Sequence, residues 1–211
     1  MQNQSLTEKS KACPVAPKPY WADLSLILTV GRSGSSCIAG IFWLHGKWVG
    51  ETRQGDQNNP DGYFENQAIK RLIYREFGKD YLYNVPVFHP IKEKIDTILQ
   101  KQRCDRSWVY KTGVQYIRCF DEFDVKYIKV KRDPNAILRS YENCHFLDQY
   151  STNEIMSIIK RGLNMMDHID GPTIDYERVL KRDYGQIKEA LEYCGMDFDH
   201  DLTDAFVRTP V

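Results

Sequence analysis

The sequence predicts an α/β fold of three layers, a mostly parallel central sheet flanked by helices. Three observations carry this. A short apolar run rich in β-formers, Leu24–Val30, stops at a glycine and is followed by a helical pattern from about Ser35. Further strand-like runs at Ser107–Lys111, Val125–Lys131 and Pro172–Asp175 alternate with amphipathic segments. Such alternation argues for parallel strands covered on both faces. Finally, 211 residues suit one domain with a substantial core. That domain is expected over residues 23–211, after a polar, proline-containing lead-in over residues 1–22.

The elements follow in order. After the first strand, Gly31–Ser36 forms a Gly/Ser turn into a helix that buries Ile38, Ile41, Phe42 and Leu44. Residues 46–66 are rich in Gly, Asn, Asp and Pro and read as a long functional loop, with Pro60-Asp61-Gly62 as a turn. Helical periodicity resumes over Phe64–Phe77, with Ile69, Leu72, Ile73 and Phe77 on one side. Tyr81–Pro90 is aromatic and proline-broken; Tyr81, Tyr83 and Phe88 either line an acceptor pocket or pack the core. Ile91–Gln102 is a short amphipathic helix. Gly113–Phe123 is a helix or turn between two strands. Asp133-Pro134 opens a helix running to about Leu147, with Asp133 as N-cap and proline at the first position. Ser151–Glu154 is a capping box before a helix whose inner stripe is Ile155, Ile158, Ile159, Leu163, Met166 and Ile169. Tyr184–Cys194 is the final predicted helix, stopped by Gly195.

Composition removes several function classes. Formal net charge is zero, so no global field favours nucleic acid or an anionic membrane. No apolar run approaches a membrane span, and the first residues lack the apolar core of a secretory signal. Six scattered cysteines, without metal-site or CxxC spacing, suit free thiols in a reducing, cytoplasmic setting. Cys37 reads as a small packing residue. The five histidines show no ligand spacing, so no metal is expected.

The turn Gly31-Arg32-Ser33-Gly34-Ser35-Ser36 is an anion site in its own right. Its glycines let a ligand approach the backbone, its serines are small donors, and Arg32 adds permanent charge. The helix start supplies amide N–H groups and partial positive charge, for which phosphate is the usual occupant. The lysine of a Walker A loop is absent, which disfavours a P-loop kinase for a nucleotide or adenylylsulfate, the alternative reading. In a parallel α/β sheet ligands bind beyond the carboxyl ends of the strands. Arg32, Lys111 and Arg132 all fall there.

GRSGSS after an apolar strand resembles the 5′-phosphosulfate loop of PAPS-dependent sulfotransferases (PAPS is 3′-phosphoadenosine 5′-phosphosulfate), commonly PRSGTT or PKSGTT. Val30 stands for the proline, and Ser35 and Ser36 for the threonines. The resemblance covers most of residues 24–180 and includes bacterial and phage sulfotransferase-like proteins. It implies a P-loop NTPase-like sulfotransferase fold, PAPS as donor with 3′,5′-ADP as product, and no metal. It implies that Arg32, Ser33, Gly34, Ser35 and Ser36 bind the 5′ end. KVKRDPNAILRSY, residues 129–141, has an arginine at a strand end and a serine eight residues on, so Arg132 and Ser140 would hold the 3′-phosphate. Lys111-Thr112 match the family's KTH segment, but Gly113 stands where its histidine base would be. Lys111 and Arg32 would then balance charge on the sulfuryl group. For the base, Glu51 in VGETR resembles a glutamate in the GEETR segment of tyrosylprotein sulfotransferases, and Glu65 belongs to an NPxGYFE-like segment. Glu51 is preferred, Glu65 second; Glu65 has the alternative role of capping its own helix. Tyr176, in a YED-like segment, would contact adenine. The acceptor would be a hydroxyl or amine of a small molecule, carbohydrate or peptide. The missing histidine also leaves open a non-catalytic 3′,5′-ADP-binding module.

Overall fold

The computed structural model describes residues 23–57, 59–79, 88–144 and 149–207. Its sheet has four strands, all parallel, in the order β2-β1-β3-β4. They are β1 Asp23–Thr29, β2 Trp108–Gly113, β3 Asp124–Lys131 and β4 Thr173–Asp175. β1 lies between β2 and β3 and is buried from its second residue onward. That burial on both faces is why its sequence is a continuous apolar run rather than an alternating one.

The alternation reappears in where each side chain packs. Leu24, Leu26 and Leu28 join one apolar cluster with Trp108 and Tyr110, whereas Ile27 joins the other with Val109 and Ile128. The first cluster is closed by α2 Gln67–Phe77, α3 Lys92–Lys101, α4 Pro134–Cys144 and α5 Thr152–Asp167. The second is closed by α1 Ser35–Leu44, α6 Tyr176–Leu180, α7 Gly185–Tyr193 and α8 His200–Phe206. These are the three expected layers.

Several boundaries move, each for a local reason. The helix expected from Phe64 begins at Gln67: Phe64 has φ 45°, outside helical space, and Asn66 caps the helix through Ala68 and Ile69 N–H groups. β2 runs two residues past its expected end, carrying Lys111 and Thr112 into the interior. A lysine interrupts an apolar pattern without interrupting the ladder. The segment after β2 is a 3₁₀ helix, Val114–Phe120. Asp133 caps α4 through the Ala136 N–H at 2.9 Å, as its position predicts, and the Ser151–Glu154 capping box is formed. α4 is described over Pro134–Cys144, and its expected end near Leu147 lies outside the described residues. α6 and α8, capped by Asp175 and Asp199, were not expected, because so few residues give no readable period.

Tyr81 and Tyr83 lie outside the described residues. Phe88 packs on Phe77 with ring centres 5.0 Å apart. Cys37, Cys104, Cys119, Cys144 and Cys194 are free thiols. Among the described residues no helix is long and apolar enough to cross a membrane.

The connection from β1 leads to β2 on one side, and that from β3 leads to β4 on the other. The crevice between the carboxyl ends of β1 and β3 is therefore the topological switch point, where open α/β sheets bind ligands. The loops carrying Arg32 and Arg132 leave the sheet there.

Candidate active site

Past Val30 the chain makes a turn with two left-handed residues, Arg32 at φ 67° and Gly34 at φ 84°. Such a φ costs a non-glycine residue about 1–2 kcal/mol, so Arg32 is held by its surroundings. Thr29 and Ser33 share a hydrogen bond beneath the turn, and both are buried. The Ser33 hydroxyl thus ties the loop to β1 rather than facing out as a donor. α1 starts at Ser35 with Gly34 as a cap that brings no side chain. Helices α2, α4, α5, α6 and α8 each have a side-chain cap, whereas α3 and α7, like α1, have none. The α1 N-terminus therefore reaches the switch point without a side-chain cap on its first N–H groups.

One link in the site spans 108 residues: Arg32 Nε donates to Ser140 Oγ at 2.9 Å. Arg132 Nη1 donates to the Arg32 carbonyl at 3.2 Å, so the two expected phosphate clusters abut. The Arg132 guanidinium lies over the Tyr176 ring, 5.4 Å from its centre. Tyr176 also packs on the loop: a Cβ on Gly34 would come within 2.3 Å of its ring. Burial pushes the Cys37 thiol up to about 12, with Tyr176 opposing the shift. Cys37 is therefore a packing residue without thiolate character, as expected.

Sequence reasoning passed over Glu177, the neighbour of Tyr176. Its carboxylate accepts from Arg132 Nε at 3.3 Å and from the Asp133 N–H at 3.1 Å. Its place in a YED-like run next to a strand end was the available signal.

A second group forms around Glu65. This carboxylate is buried and lies 2.7 Å from Lys70 Nζ and 3.8 Å from Lys111 Nζ. Burial pulls the Lys111 ammonium below the usual lysine range; Glu65 opposes this, while Lys70 and Arg32 add to it. Arg32, Lys70, Lys111 and Glu65 therefore share one field. Helix capping, the other role considered for Glu65, is performed by Asn66.

Glu51, the preferred base, is placed differently. Its side chain is exposed, its N–H reaches Gln102 Oε1 at 3.4 Å, and its carbonyl accepts from Gln67 N. It borders a cavity of about 310 Å³ with Trp43, Trp48, Val49, Gly50 and Gln102. Among the described residues no contact joins its carboxylate to Arg32, Lys111 or Ser140. A Cβ on Gly113, at the position of the family's histidine, would meet the Gln115 side-chain amide at 2.2 Å, so that amide would have to shift to admit a side chain.

No family model and no curated protein matches this sequence. Its likeness is to solved structures. The sulfotransferase domain of the Synechococcus PCC 7002 olefin synthase aligns over 92% of this chain and 80% of its own, with TM-score 0.55 and 19% identity. The sulfotransferase domain from the curacin biosynthetic pathway aligns over 89% and 77%, with TM-score 0.55 and 13% identity. At such identities the likeness concerns the fold, which is that of sulfotransferase domains.

Proposed function

We propose that this protein transfers a sulfuryl group from PAPS to a hydroxyl or amine. The observation that carries the reading is the Arg32–Ser140 hydrogen bond at 2.9 Å. It joins the loop after β1 to the helix after β3 at the switch point, next to Arg132. Two adjoining cation–hydroxyl clusters suit an adenosine that carries phosphate at both its 3′ and 5′ positions. The uncapped α1 N-terminus and the Arg132 Nη2 donors, which have no partner among the described residues, fit such a ligand.

The donor supplies an activated sulfur whose bond to the 5′-phosphate oxygen breaks as the acceptor oxygen or nitrogen bonds to it, releasing 3′,5′-ADP. Sulfuryl transfer resembles phosphoryl transfer, with negative charge gathering on the leaving oxygen. The loop amides, Ser36 and Arg32 stabilise that charge, and Lys111 faces the sulfuryl oxygens. Arg132 and Ser140 hold the 3′-phosphate, with Tyr176 against the adenine. Glu65 accepts the acceptor's proton. It is preferred to Glu51 because it shares a field with Lys111 and Arg32, whereas Glu51 does not contact them. The acceptor is a small molecule, carbohydrate or peptide.

The test is transfer of radiolabelled sulfate from PAPS to a mixed acceptor panel. Wild type labels at least one acceptor. Arg32→Ala abolishes labelling, Glu65→Gln lowers it by roughly 10²–10⁴-fold, and Arg132→Ala chiefly weakens donor binding. Mutants as active as wild type would refute these roles.

A further inference from the structure

Resting on that reading, we infer that Glu177 is a positioning residue that aims Arg132 at the 3′-phosphate and so sets the preference for a 3′-phosphorylated nucleotide. A carboxylate beside a phosphate site is at first sight out of place, since it repels the ligand. Its contacts explain its presence. One oxygen takes the Arg132 Nε–H at 3.3 Å, and the other takes the Asp133 N–H at 3.1 Å. The carboxylate is thereby anchored to the backbone at the start of α4, and the guanidinium is anchored to the carboxylate.

Glu177 is itself fixed. Its N–H is bonded to Asp175 Oδ1 at 2.9 Å, and the Asp175 N–H to Gln186 Oε1 at 2.9 Å. The far side of the guanidinium is set by Nη1 on the Arg32 carbonyl at 3.2 Å. With Nε and one Nη1 donor engaged and the plane laid over Tyr176, the Nη2 edge is the side left for a ligand. A guanidinium fork held this way loses less freedom on binding than a free side chain.

Charge and position make opposite predictions, which gives a sharp test. Glu177→Gln removes one negative charge yet keeps an oxygen for the Asp133 N–H. If charge alone mattered, the variant would bind 3′,5′-ADP more tightly. If Glu177 positions Arg132, it binds that nucleotide roughly tenfold more weakly, while 5′-AMP binding is unchanged. Calorimetry with both nucleotides reads the ratio, and a general loss of structure would not confine the change to one of them. In an Arg132→Gln background the Glu177 substitution has no further effect on the ratio. Should Glu177→Gln not fold, Glu177→Asp, which shortens the reach of the carboxylate, lowers the same ratio by a smaller factor.

An unchanged or increased ratio, or an equal loss for both nucleotides, overturns the role of Glu177 and leaves the donor reading standing. A wild type that does not prefer 3′,5′-ADP over 5′-AMP overturns the donor reading and this inference with it.

Discussion

At Gly34 two requirements meet. Its φ of 84° favours a residue without Cβ, and the Tyr176 ring fills the space a Cβ would take. Gly34→Ala is expected to cost at least about 1 kcal/mol in urea unfolding from the backbone alone. It also displaces Tyr176, so the melting-temperature gain given by 3′,5′-ADP falls; an unaltered gain would show that the ring does not serve the site. This need for glycine was legible in the GRSGSS run. What the run did not reveal is that Ser33 turns inward to Thr29, because hydroxyls of identical residues are assigned to ligand or scaffold only by the fold. Glu177 was hidden for a similar reason: its partners lie on another strand's end.

Between elements, the decisive junction is where β2 meets the chain entering α2. Glu65 there faces Lys111 from β2 and Lys70 from α2. Glu65→Gln leaves a buried ammonium without its carboxylate and should lower unfolding free energy by on the order of 3 kcal/mol near neutral pH. The pH dependence has a definite sign. Lys111 has a lowered pKa in the folded chain, so the folded state binds fewer protons than the unfolded one. Stability from this group therefore rises with pH, from the lowered value up to the ordinary 10.5. Losing Glu65 lowers the folded value further. The deficit of the variant should then shrink between pH 7 and about pH 9.5 in urea titrations; a deficit constant with pH would contradict the assignment. Strands, caps and the long helices were readable at this scale because period and capping chemistry are local. The last residues of β2, Thr112 and Gly113, were not, since it is their pairing with Leu28 and Thr29 of β1 that extends the strand past Lys111. The choice between Glu51 and Glu65 needed the same information, as both follow α1 in one polar loop.

For the whole molecule, strand order converts these details into a site. The three-layer parallel sheet was predicted from alternation alone, but the order β2-β1-β3-β4, which places the switch point between β1 and β3, was not. That order brings Arg32 to Ser140 and Arg132. A Walker-type nucleotide site would instead call for a lysine at the end of the loop and a magnesium-bound triphosphate. The most direct measurement is isothermal calorimetry of the wild-type protein with 3′,5′-ADP and, separately, with ATP plus magnesium. Saturable heat with 3′,5′-ADP, and weaker or no heat with ATP plus magnesium, is the predicted result. Binding of ATP plus magnesium in preference, or no heat with 3′,5′-ADP at high protein concentration, would contradict it.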